Sequence, residues 1–233
     1  MDQRRLQDDI AETLVAARAA ERDIIAALPE DVRLAPGPDG GWSPKDIQAH
    51  LSLWKARQVG RLVAARRGEV VEPAAEDLDA VNAELHASRA DWSWEAIAAE
   101  ADAVTDQLVA EILATDLATL TGDERLLGGT MGNGASHALE HLPALARAHG
   151  KEERVLALAR QVEGIIRASD FPDGDKGAFL YNQACFHALG GRLDEARALL
   201  PEAFRLRPDL AEWAQQDSDL DALRSELGAL ATS

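Results

Sequence analysis

Cysteine is nearly missing from this 233-residue chain, where Cys185 stands alone. A single thiol excludes an intramolecular disulfide and a cysteine-built zinc cage, and it fits a reducing cytoplasm. Basic residues are also scarce. Lys and Arg number 24 against 41 Asp and Glu, a formal charge of −17, and four of the 24 are lysine. Such a chain repels phosphate backbones, so nucleic acid is not an expected partner. No stretch approaches 18 consecutive apolar residues, so no membrane span is expected. The opening segment MDQRRLQDDI lacks the apolar core of a signal peptide. Runs of β-branched residues, the usual material of sheets, are few.

What is present favours helix. Alanine supplies 45 residues, and Ala, Leu, Glu and Arg are strong helix formers. Hydrophobic residues make up 46% of the chain, which is enough for a packed core rather than global disorder. The fold class is therefore read as all-α.

Helical spacing of Leu6, Ile10, Leu14, Ala17, Ile24 and Ala27 predicts a first helix over 3–28, closed by Pro29. Residues 33–42 hold two prolines and three glycines and read as a loop. Ser43-Pro44-Lys45-Asp46 reads as a helix start: a capping hydroxyl, a proline at the first helical position and a carboxylate at the positive end of the dipole. That second helix should run to Arg67 and stop at Gly68, with Ile47, Leu51, Trp54, Leu62 and Ala65 as its apolar stripe. Beyond Pro73, helices are expected over 76–89 and, after a Ser93 cap, over 94–115. Five glycines between Gly122 and Gly134 predict a loop, and a further helix runs from about Ser136 to His149. Up to Gly150 the pattern suits a four-helix bundle with an interrupted third member, the alternative being an irregular array of helices.

After Gly150 the character changes. Helices are expected over 151–169, 177–189 and 193–206, the last two separated by Gly190-Gly191. Leu180, Ala184, His187, Ala196, Leu200, Ala203 and Pro208 alternate large and small side chains, as in a 34-residue helix-turn-helix repeat. Tyr181-Asn182-Gln183-Ala184-Cys185 followed by Gly191-Arg192-Leu193-Asp194-Glu195-Ala196 resembles one tetratricopeptide repeat. Residues 151–169 would supply a partner helix and 209–230 a divergent cap. One repeat cannot bury its own face, so it must lean on neighbours.

The chemistry-bearing residues are histidines. His137 and His141 lie four apart on one predicted helix, which puts both imidazoles on one face. His50 precedes Leu51 on the stripe of the second helix and should point inward. Three converging imidazoles suit Zn, Ni or Fe with coordination positions left open. Spacing alone is more readily explained by hydrogen-bonded core histidines.

The run Trp42-Ser43-Pro44-Lys45-Asp46-Ile47-Gln48-Ala49-His50-Leu51, with Trp54, Asn82, Trp94 and His137-Ala138-Leu139-Glu140-His141-Leu142, resembles the DinB/YfiT-like superfamily, and within it the ClbS/DfsB-like branch. The resemblance covers about residues 3–149. It implies a DinB-like four-helix bundle over 1–150, followed by the repeat-like tail over 151–233. It further implies a homodimer and a divalent metal on His50, His137 and His141. The implied activity is transfer of a low-molecular-weight thiol to an electrophilic small molecule, or hydrolysis of one. The alternative is a non-catalytic helical scaffold or ligand-sequestering stress protein, with the tail binding a protein partner. Neither catalytic nor thiol-binding residues can be named from the sequence.

Other side chains have plainer expectations. Glu140 projects about 100° from the histidine face. Trp42, Trp54, Trp92 and Trp94 either line a ligand pocket or pack in the core, and core is favoured for Trp54. Asn82 either bonds a ligand or caps a helix. His86 and His149 should be solvated, Cys185 should pack at a small-residue position, and Pro143 should remove one hydrogen bond from the last helix of the bundle.

Overall fold

The computed structural model describes residues 3–37, 41–73 and 77–232. Among these, thirteen α-helices and no strand are found. No helix among them is long and apolar enough to cross a membrane. The described residues fall into two compact units, 7–158, and 159–232 with 3–6. The division lies inside a helix (Glu152–Ala168), whereas the sequence suggested a boundary after Gly150.

In the unit of residues 7–158, α1 (Gln3–Glu21) gives way to a π-helical turn over Arg22–Ala26, so the first helix is not uniform to residue 28. A short α2 (Glu30–Leu34) begins on Pro29, partly inside the expected loop. The spine is α3 (Pro44–Arg66). It starts as expected: Ser43 Oγ accepts from the Asp46 N–H at 3.1 Å, and Asp46 Oδ2 accepts from the Ser43 N–H at 3.0 Å. This reciprocal capping box satisfies two backbone donors that a helix start leaves orphaned. Next come α4 (Leu78–Ala87), capped by Asp77, and α5 (Trp94–Ala114), capped by Ser93. The expected α4 start at residue 76 lies outside the described residues.

The stretch read as a glycine loop is helical instead. It holds α6 (Leu117–Gly122), α7 (Glu124–Met131) and a π turn over Gly132–Ser136, which runs directly into α8 (His137–Ala148). Two of these glycines serve close approach rather than looping. A Cβ on Gly129 would sit 2.7 Å from Gln58 Oε1, and one on Gly134 would sit 2.0 Å from Leu14 Cδ2. Gly132 and Gly122 meet nothing within 4 Å. Helix α3 packs against α4, α5, α7, α8 and the π turn. Helix α1 is tied to α5, where the Gln7 amide donates to the carbonyls of Ile112 (2.8 Å) and Thr115 (2.7 Å). The expected stripe Ile97, Ala101, Val104, Leu108 and Ile112 is buried throughout. Helix α8 continues through Pro143 and ends at Ala148, and the chain then turns at Gly150, whose φ of +65° suits a residue without a Cβ.

In the other unit the main pair is α10 (Asp173–Leu189) and α11 (Leu193–Leu206), following α9 (Glu152–Ala168). Leu180, Ala184, Ala196, Leu200 and Ala203 are fully buried. Gly177 lets the helices close in, because a Cβ there would meet Arg207 Cβ at 2.8 Å. Residues 209–230 form three short pieces: α12 (Asp209–Trp213), a 3-10 turn over Ser218–Leu223 that packs on α10, and α13 (Leu227–Leu230).

Candidate metal centre

Helix α3 delivers His50, and the start of α8 delivers His137 and His141 one turn apart. Their ring centroids lie 4.6, 4.8 and 4.8 Å from one another. One ligand-type nitrogen from each falls within 4.8 Å of the others, so the cluster can hold a metal ion. His50 Nε2 and His137 Nε2 face each other at 2.9 Å. Two imidazole nitrogens on one tetrahedral ion lie roughly 3.3 Å apart, so a small adjustment would admit one. The same 2.9 Å separation is a good hydrogen bond if one ring carries its proton there.

Two further observations describe the state of these rings. His50 Nδ1 and His137 Nδ1 are buried and have no hydrogen-bond partner among the described residues. These two atoms are left unsatisfied whether the facing Nε2 atoms share a proton or an ion. The rings are also kept neutral. Burial, then the charge His141 would carry, lowers His50 to about 4. Burial, then His50, His141 and Lys55, lowers His137 to about 2. Burial lowers His141 as well. Neutral imidazoles present lone pairs, which is the state a metal requires.

Tryptophans wall the cluster. Trp42 lies 4.5 Å from His50 and 6.3 Å from His141, ring to ring. Trp54, which is buried, lies 6.4 Å from His50 and 6.2 Å from His137, and its Nε1–H donates to Asn82 Oδ1 at 3.0 Å. Asn82 thus holds a tryptophan rather than capping a helix. His86, expected to be solvated, is half-buried. It stacks on Trp42 at 5.9 Å with planes 3° apart, and its Nε2 lies 3.5 Å from Asp46 Oδ1. Trp94 is half-buried under the Arg33 guanidinium and Trp92 is 38% exposed under that of Arg89, so neither tryptophan touches the cluster. Glu140 and His149 are exposed.

Beside the cluster lies a charged group that the sequence reading missed. Lys55 and Glu21 are both fully buried, with Nζ 2.5 Å from Glu21 Oε1. Glu21 Oε2 accepts from Gln48 at 2.9 Å and from Arg18 at 3.2 Å, and Arg18 reaches Asp102 at 2.6 Å. Burial alone would raise the Glu21 carboxyl, but Lys55, Gln48 and Arg18 outweigh it and hold it below the usual range. The available signal was one ionic residue on each apolar stripe: Glu21 follows Ala17 by one turn, and Lys55 follows Leu51 by one turn.

In the other unit, Cys185 Sγ, Asp217 and Asp219 also bring ligand-type atoms within 4.8 Å. The Cys185 thiol is buried and faces Asp217 Oδ2 at 3.8 Å, and the Tyr181 hydroxyl donates to the same oxygen at 2.6 Å. Burial and the two carboxylates push this thiol well above its ordinary pKa, which suppresses the nucleophilic thiolate.

Comparison of the chain with protein-family models, with curated proteins and with solved structures yields no match.

Proposed function

We propose that the chain is a DinB-like metalloprotein, nearest the ClbS/DfsB-like branch, that holds Zn, Ni or Fe on His50, His137 and His141 and acts on an electrophilic small molecule. The observation that carries this reading is the meeting of three neutral imidazoles from α3 and α8, with a ligand-type nitrogen of each within 4.8 Å of the others. A divalent ion there supplies Lewis acidity and lowers the pKa of a coordinated water or low-molecular-weight thiol. The chain's own contribution is positional. The two α8 histidines share a face, His50 approaches from α3, and Trp42 and Trp54 keep bulk water from the rings. Burial first, and the Lys55 charge as a lesser influence, disfavour a proton on His137.

On this reading α1, α3, α5 and α8 are the four members of the bundle. The burial of Leu180, Ala184, Ala196, Leu200 and Ala203 supports a tetratricopeptide-like role for α10 and α11, which would dock a protein partner. The test is elemental analysis of the purified full chain and of a His137→Ala/His141→Ala variant. Near-stoichiometric Zn, Ni or Fe in the first and none in the second is expected. That result justifies assays of thiol transfer and hydrolysis with electrophiles. Failure to take up any of these ions after incubation with each overturns the reading in favour of a ligand-sequestering scaffold.

A further inference from the structure

Helix α4 differs from α3, against which it packs: none of its ten residues is buried. Leu78 is 55% exposed, and Val81 and Leu85 are only half-buried against α3. The chain is pinned at both ends of this helix. Before it, Arg125 donates to the Val71 carbonyl at 3.2 Å, Arg61 donates to that of Pro73 at 3.2 Å, and Arg57 pairs with Glu72. After it, Lys45 donates to the Ala90 carbonyl at 2.8 Å and to that of Trp92 at 3.2 Å, and Arg89 pairs with Glu100 at 2.7 Å. Between these anchors two side chains one helical turn apart hold α4 down. Asn82 accepts from Trp54, and His86 stacks on Trp42 beside Asp46. Both latch onto the tryptophans that wall the histidine cluster.

We propose that α4 is a hinged cover over the three-histidine cluster, released when Asn82 leaves Trp54 and His86 leaves Trp42, and that small ligands reach His50 and His141 through the opening. The proposal rests on the metal-site reading for what lies beneath the cover, but not for the motion itself. Anchors before and after it, a helix over Leu78–Ala87 without buried side chains and two local latches describe a segment at the low end of local stability.

A cover that does not touch the ion changes entry and exit together, whereas a residue that supports the ligands changes affinity. The full chain is loaded with Zn²⁺ alone. Uptake and release into excess chromogenic chelator are timed for the wild type and for Asn82→Ala/His86→Ala. Loss of one hydrogen bond and one ring stack should accelerate both rates on the order of tenfold, leaving Kd unchanged. Hydrogen exchange on the zinc-free protein provides the independent readout. Amides of 82–87 should exchange faster than those of α3 and α5, and faster again in the variant. Unchanged rates in the variant, or a raised Kd with unaltered uptake, overturn the cover. So does protection of α4 equal to that of α3. If the wild type takes up no zinc, the metal reading fails, and the exchange data alone decide for or against the cover.

Discussion

A methyl group added at Gly134 should destabilise the unit formed by residues 7–158, although an alanine ordinarily stabilises a helix. Intrinsic propensity favours Gly134→Ala by about 1 kcal/mol. Against this, the new Cβ would lie 2.0 Å from Leu14 Cδ2 and 3.7 Å from Leu108 Cδ2. Leu14 and Leu108 are both fully buried and cannot swing into solvent. Overpacking of this kind costs about 1–3 kcal/mol, so the net change is a loss of up to about 2 kcal/mol. Leu14→Ala alone should cost about 2–5 kcal/mol through its cavity. In that background the obstruction is gone, the propensity gain remains and the methyl fills part of the void. Gly134→Ala then becomes stabilising by about 1 kcal/mol. The four proteins are compared by urea melts followed by tryptophan fluorescence in a Trp213→Phe background, so that the remaining tryptophans, at 42, 54, 92 and 94, all report on this unit. The sign of the Gly134→Ala effect should reverse between backgrounds, with a coupling of about 1–3 kcal/mol. A stabilisation of about 1 kcal/mol in the wild-type background would refute the close approach of the π turn to α1.

Two further outcomes follow from buried charge. Glu21→Gln leaves the fully buried Lys55 without a counter-ion and should cost about 3–5 kcal/mol; a melt within 1 kcal/mol of wild type contradicts the pairing. In the metal-free protein, His50 and His137 are held to about 4 and about 2, below the 6.5 of an unfolded chain. The unfolded state then takes up protons first as the pH falls. The contribution of these rings is therefore full above about 6.5 and is progressively lost as pH drops through 4 toward 2. Urea midpoints should decline between pH 7 and 5, above the range of ordinary carboxylates, and a His50→Gln/His137→Gln variant should flatten that decline. A flat wild-type profile contradicts buried, neutral imidazoles.

Much of the helix pattern could be read from the residues because local chemistry fixes it. The Ser43–Asp46 box starts α3, Ser93 starts α5, and the stripe through Ile97, Leu108 and Ile112 is buried. The shared face of His137 and His141 was readable too, since a four-residue spacing fixes it, whereas His50 joins them only through the packing of α3 on α8. What escaped depends on partners distant in sequence. Gly129 and Gly134 look like loop residues until Gln58 and Leu14 are seen occupying the space of their missing side chains. His86 lies on a helix with no buried residue, so nothing local announces its stack on Trp42. Lys55 and Glu21 lie on different helices and explain one another only when paired.

The π turn before His137 also governs where this chain can change length. Its i to i+5 bonding, visible in the His137 N–H reaching the Gly132 carbonyl, holds one residue more than an α turn. A deletion inside α7 rotates everything downstream by about 100° relative to what precedes it and turns both histidines away from His50. A deletion within the turn, at Gly132 or Asn133, converts it to α-helix and leaves the flanking faces in phase. The chain therefore has a position where one residue can be lost while the spacing of its histidines in space, though not in number, is conserved.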